Sequence, residues 1–166
     1  MKIGASITLD RVEQGLAKAI AQMRHNNNRS ESVTNAKIGP QSNEDTDLEG
    51  IGGELAFCKL FNTYPDLSVE TRSSLKGSDN ADAVKDGKTI DIKTTKYENG
   101  KLVAAPWKKQ GKKPDYFALM TGTFPVYTFR GFMKSDELLK DSRLGSLGHG
   151  PTDIALQSEL KEFLLG

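Results

Sequence analysis

The chain has 166 residues, 36% of them hydrophobic and 27% charged, with a formal net charge of +1. That size and balance suit one soluble globular domain with a core of its own. They exclude a disordered chain, and no apolar run approaches the roughly 20 residues that span a bilayer. Cys58 is the single cysteine, so an intramolecular disulfide and a zinc site of several thiolates are excluded as well.

The N-terminal stretch "MKIGASITLD" lacks the apolar core of a signal peptide, and a cytoplasmic protein is the expectation. Asp10 to about His25 reads as a helix. Val12, Leu16, Ile20 and Met23 recur at helical spacing, and Asp10 with Glu13 forms an N-terminal capping pair. A polar, turn-rich loop covers about 26–45. The second helix is expected from Thr46, where Thr46-x-x-Glu49 reads as a capping box and Leu48, Ile51, Leu55, Cys58 and Phe61 form the apolar stripe. Together these make a helical N-terminal part, 1–62, of a single domain.

A sheet core is expected over about 66–133. Leu67 to Arg72 alternates as a strand. "DAVKDGKTIDIKTT" (82–95) follows, with Asp86-Gly87 at the centre of a tight hairpin. Counting outward pairs Lys85 with Lys88, Val84 with Thr89, Ala83 with Ile90 and Asp82 with Asp91. Asn99-Gly100 predicts a second tight turn returning through "KLVAA". Strands follow at 115–122 and 125–133, and helices at Ser135 and from about Thr152 complete a C-terminal helical part, 135–166.

Two features of this layout are costly unless something compensates them. Asp82 and Asp91 face each other across the hairpin, and like charges directly opposed in a sheet are destabilising. Lys93, two residues on, shares their face. On the second helix, Glu54 lies between Cys58 and Phe61 inside the apolar stripe, and a buried glutamate needs a partner or a metal. The neighbouring Gly50, Gly52 and Gly53 cost roughly 1 kcal/mol each in a helix, and would let another backbone or a ligand come close. One divalent cation answers both anomalies. Cβ atoms opposed in an antiparallel pair stand about 5 Å apart, so both aspartates can converge on an ion that Glu54 reaches from its helix. All-oxygen ligands select magnesium or manganese.

With these residues assembled, the pattern resembles the PD-(D/E)XK nuclease superfamily. "NADAVKDGKTIDIKTT" carries its aspartate and D-x-K strands, and "GIGGELAF" resembles its helical glutamate. The likeness is to the small stand-alone nucleases of phages and mobile elements. It implies an α/β fold of the restriction-endonuclease-like type, a central mixed β-sheet flanked by helices. It also implies a magnesium-dependent deoxyribonuclease, with manganese substituting, acting in recombination, repair or DNA degradation, in the host cytoplasm if phage-encoded. Glu54, Asp82 and Asp91, with the Ile92 carbonyl, would bind the metal. Lys93 would orient the attacking water or steady the phosphate in the transition state.

Two departures stand against the likeness. Ala81 replaces the proline before the first aspartate. Residues 96–114 do not read as the helix the superfamily places between its third and fourth strands. Asp79 is the alternative to Asp82, outside the hairpin register, and Asp86 belongs to the turn.

Six lysines between Lys96 and Asp115, against Glu98 and Asp115, leave that stretch at +4. Lys96, Lys108, Lys109, Lys112 and Lys113 are therefore candidate contacts to a DNA backbone. Trp107 could stack on a base or anchor the loop. A homodimer would suit double-strand cleavage, though no clear interface stripe stands out. His25, His149, Cys58, Ser73 and Ser74 lack the neighbours that catalysis needs, and no phosphate loop of an NTPase is present. The competing readings are a non-catalytic nucleic-acid-binding or assembly protein and a hydrolase of small phosphate esters.

Overall fold

The protein is described by a computed structural model over residues 2–30, 43–67, 81–106, 111–148 and 150–162. Its elements in chain order are β1 (Ser6–Thr8), α1 (Arg11–Ser30), α2 (Asn43–Phe61), β2 (Ala83–Lys85), β3 (Lys88–Thr95), β4 (Leu102–Ala104), β5 (Tyr116–Thr123), β6 (Val126–Lys134), α3 (Ser135–Leu138), β7 (Leu144–Ser146) and β8 (Pro151–Ala155). The fold is mixed α/β. Its main sheet has the order β1-β6-β5-β3-β2, with β3 and β5 parallel and every other pair antiparallel. A second, antiparallel sheet has the order β4-β8-β7.

The hairpin has the register obtained by counting from Asp86-Gly87: Ala83 opposite Ile90, Val84 opposite Thr89, Lys85 opposite Lys88. Asp86 and Gly87 both have positive φ, 53° and 76°. These are the paired left-handed conformations of a type I′ turn, whose twist matches that of the strands and which glycine adopts without strain.

The sheet is buried on both faces at its centre, which is why "YFALMT" in β5 is a continuous run rather than an alternating one. Tyr116, Ala118 and Met120 join Ile90, Ile92, Phe129 and Phe132 against α1 and α2. Phe117 and Leu119 point the other way, into a second cluster with Leu102, Met133, Leu138, Ala155 and Leu160. Three layers result, with the helices on one face of the main sheet and the small sheet on part of the other.

Several sequence expectations change. Residues 6–8 are an edge strand on β6 rather than part of a helical region. In α1 the Asp10–Glu13 pair does cap reciprocally, each backbone N–H donating to the other's carboxylate at 2.7 and 2.8 Å. The buried face, however, is Ala17, Ile20 and Ala21, while Val12, Leu16 and Met23 are exposed. Small residues win because α1 packs closely on α2, where an alanine face admits the shorter approach. Helix α2 begins at Asn43, so Glu49 lies in its interior and caps nothing. Its carboxylate instead accepts from the Phe124 N–H at 3.2 Å and the Tyr127 hydroxyl at 3.3 Å.

Asn99-Gly100 does form a turn, with the Gly100 N–H donating to the Tyr97 carbonyl at 2.9 Å. The strand that follows pairs with β8 and not with β3, because parallel β3 and β5 need a crossover, which β4 makes in the second sheet. Among the described residues the C-terminal helices reduce to the single turn of α3 and two 3-10 turns, Asp141–Arg143 and Gln157–Glu159. "PTDIA" is a strand, β8, held on both edges by β4 and β7. The strand expected at 67–72 lies outside the described residues, all but its first position. No helix among the described residues is long and apolar enough to cross a membrane.

Candidate active site

Helix α2 lies on β3 at unusually close range. A Cβ added to Gly53 would come within 2.9 Å of Thr94 Cβ and Cγ2 and nearer still to its hydroxyl, and one at Gly52 would lie 2.8 Å from Tyr127 Cζ. The two glycines therefore set the helix down on the sheet, and they carry the next residue, Glu54, to the edge where the hairpin begins. Gly50 has nothing within 4 Å and has no such role.

At that edge three carboxylates meet. Asp82 makes side-chain hydrogen-bonding contact with both Glu54 and Asp91, and Glu54 feels Asp91 through space. They form a row with Asp82 in the middle. Asp82 Oδ2 also accepts the Ile92 N–H at 2.7 Å, which ties the first strand of the hairpin to the second beyond the last paired residue. Lys93 Nζ stands 3.4 Å from Asp91 Oδ1, with 32% of its side chain exposed against 15% for Asp91. Four residues named from the sequence, Glu54, Asp82, Asp91 and Lys93, are thus brought together, and the Ile92 main chain is part of the same knot.

The electrostatics follow from the crowding. Burial pushes the Asp82 carboxyl well above the usual range, and the negative charges of Glu54 and Asp91 push it further. Glu54 is also raised, chiefly by burial, against the lowering effect of its hydrogen bond with Asp82 and of the Arg24 charge. Of the two, Asp82 is held further above its ordinary value, because it sits between both neighbouring charges. Cys58 lies close enough for burial and then the charges of Glu54 and Asp82 to push its thiol up to about 12. It is a core residue, not a thiolate nucleophile.

Residues 1–158 match the model of a family described as a family of unknown function, DUF5843. The chain belongs to that family. No curated protein and no solved structure matches it.

Arg24 is the site residue that the sequence reading passed over. Its guanidinium stands 3.4 Å from Glu54 Oε2 and donates to the Asp66 carbonyl at 3.0 Å, so α1 braces the glutamate from behind. The signal was present in the alanine face: Ala17, Ile20, Ala21 and Arg24 share one side of α1, and a charge on that side asks for a buried partner.

The basic candidates are divided. Lys96 follows the C-terminal end of β3, while Lys112 and Lys113 precede the N-terminal end of β5. Since β3 and β5 run parallel with Ile90 beside Tyr116, these lysines lie at opposite ends of the strands. Lys113 is paired with Asp136 at 2.6 Å. Lys108, Lys109, Trp107, Asp79, Ser73, Ser74 and His149 lie outside the described residues. His25 stands 3.8 Å from Asp47. Asp86 remains in the turn, paired with Lys85 at 2.6 Å.

Among the described residues no group of three or more His, Cys, Asp or Glu side chains is already arranged around one point to hold a metal ion. The donor chemistry of the row nonetheless fits a hard cation. Three carboxylates supply oxygen only, the donor type that magnesium and manganese take.

Proposed function

We propose that the protein is a magnesium-dependent nuclease that hydrolyses phosphodiester bonds of DNA, on a fold of the restriction-endonuclease-like type. The observation that carries the reading is the convergence of Glu54 from a helix, Asp91 from a strand and Asp82 from the bend before β2, with Lys93 at 3.4 Å from Asp91. Three mutually repelling acids at one sheet edge cost stability, and a structural role alone does not require them.

Glu54, Asp82 and Asp91, with the Ile92 carbonyl, would hold magnesium, and manganese would substitute. The ion would supply a bound water of lowered pKa and offset charge developing on the phosphate. The residues of the chain do the rest. Arg24 fixes the Glu54 carboxylate, and the Ile92 N–H fixes Asp82, so two of the ligands are preset before substrate arrives. Lys93, half-exposed and on the face of Asp91, faces the phosphate and can orient the attacking water or neutralise a non-bridging oxygen.

The test uses supercoiled plasmid, linear duplex and single strands in magnesium, manganese or EDTA, with Asp91→Ala beside the native chain. Metal-dependent cutting that the variant loses supports the reading. Binding that is salt-sensitive but never followed by cutting, on any substrate, makes the protein a non-catalytic nucleic-acid-binding module instead.

A further inference from the structure

The face of the main sheet opposite the helices is only half covered. On β5, Phe117 and Leu119 lie beneath the small sheet, and the chemistry changes two residues on, at Thr121 and Thr123. On β6 the same division falls between Met133, in the apolar cluster, and Thr128 and Arg130. On β3 it falls between Asp91 and Thr95, with Lys93 midway. The register joins these positions across the strands: Thr95 pairs with Thr121, and Thr121 with Thr128.

Arg130 occupies a special place in this surface. Leu119 pairs with Gly131 and Met120 with Phe129, so Arg130 is the extra residue of a β-bulge in β6. A bulge re-aims a side chain, and this one sends the guanidinium across to Thr121, whose hydroxyl it meets at 2.8 Å. Thr121 is 1% exposed, so the arginine is seated on a buried hydroxyl and its remaining donors face a cleft of about 290 Å³. Lys96 and Thr123 line that cleft as well.

We propose that this cleft binds the phosphodiester backbone of the nucleic acid, with Arg130 and Lys96 as its cations, Thr123 and Thr128 as its hydroxyl lining, and Thr121 seating the arginine. The assignment rests on the nuclease reading of the adjoining carboxylates, to which the cleft connects through Thr95 and Lys93. Val126 and Gly122 complete the lining, and the hydroxyls and cations between them are the contacts proteins make to phosphate and sugar, independent of sequence. Among the described lining residues Glu98 is the one acid, 3.8 Å from the Arg130 guanidinium with 83% of its side chain exposed. A pair this long, with its glutamate in solvent, contributes little, and a phosphate can replace it with a two-point contact that arginine geometry favours.

Binding is read by fluorescence anisotropy with a labelled 20-mer, single-stranded and duplex, in EDTA so that nothing is cut. Arg130→Gln and Lys96→Gln are compared with the native chain and with Lys140→Gln, an exposed lysine elsewhere. Each cleft variant is expected to weaken binding and to reduce the slope of log affinity against log salt by about 1, while Lys140→Gln keeps the native slope. Lys96 lies on the rim, so its variant remains informative if Arg130→Gln disturbs the bulge. Native slopes in both cleft variants, or no binding by the native chain, overturn the proposal. The outcomes separate it from the nuclease reading. Cutting that survives with native binding in both variants removes the cleft alone, and weakened binding in a chain that never cuts removes the nuclease alone.

Discussion

Adding one methyl group at Gly53 tests how the site is assembled. A helical Gly→Ala change gains about 1 kcal/mol of propensity wherever the new methyl meets nothing. Gly50→Ala is that case, with open space around the new Cβ, and is expected to stabilise the protein by about 0.5–1 kcal/mol. At Gly53 the same gain is opposed by a Cβ within 2.9 Å of two carbons of Thr94, a strand residue with no freedom to withdraw. Overpacking of that kind costs about 1–3 kcal/mol. The propensity gain is common to both variants, so the difference between them isolates the packing cost, again about 1–3 kcal/mol. Urea unfolding measures it directly. In thermal melts each kcal/mol corresponds to about 2–4 °C for a chain of this size. Because Glu54 is the next residue, Gly53→Ala is also expected to lose more metal-dependent cutting than Gly50→Ala. Equal stability of the two variants would show that α2 does not rest on β3 as described.

Further outcomes follow from the same layer and from the carboxylate row. The Thr94 hydroxyl is buried without a hydrogen-bond partner, so Thr94→Val, which keeps the shape, is expected to raise stability by about 1 kcal/mol in urea unfolding. In EDTA, the contribution of Asp82 to native stability is expected to fall as pH rises from about 4. Asp82 is protonated in both states below its unfolded value, but above it the unfolded chain releases the proton while the folded one retains it. Asp82→Asn carries no such proton, so its advantage in Tm should grow with pH from near zero at pH 4. A gap between the two melting curves that is flat with pH would contradict the crowding of the three acids.

Much of the site was legible in the sequence because it depends on local rules. Asp86-Gly87 dictates a type I′ turn and the turn sets a register that runs to Ala83 opposite Ile90, with Asp82 meeting Asp91 one step beyond the ladder. Glu54 stood out because its position in a helical period can be counted. The apolar stripe of α2 was read in the same way, with Ile51, Leu55 and Cys58 buried.

Other features depended on which surfaces meet, and no local pattern states that. Ala17, Ile20 and Ala21 form the buried side of α1 because the closest helix approach is over small side chains, although Val12 and Leu16 are more apolar. Arg24 then reaches Glu54 across a gap of 30 residues in sequence. "PTDIA" extends as a strand only because β4 and β7 lie on either side of it, and β4 is there because parallel β3 and β5 require a crossover. The bulge that turns Arg130 toward Thr121 exists only in the pairing of β5 with β6. The sequence by itself determined the turn, the register and the chemistry of the acids, since those follow from backbone conformation and spacing over a few residues. The tertiary structure alone decided what braces the acids and which half of the sheet stays open, because burial is a property of packed layers and not of any one segment.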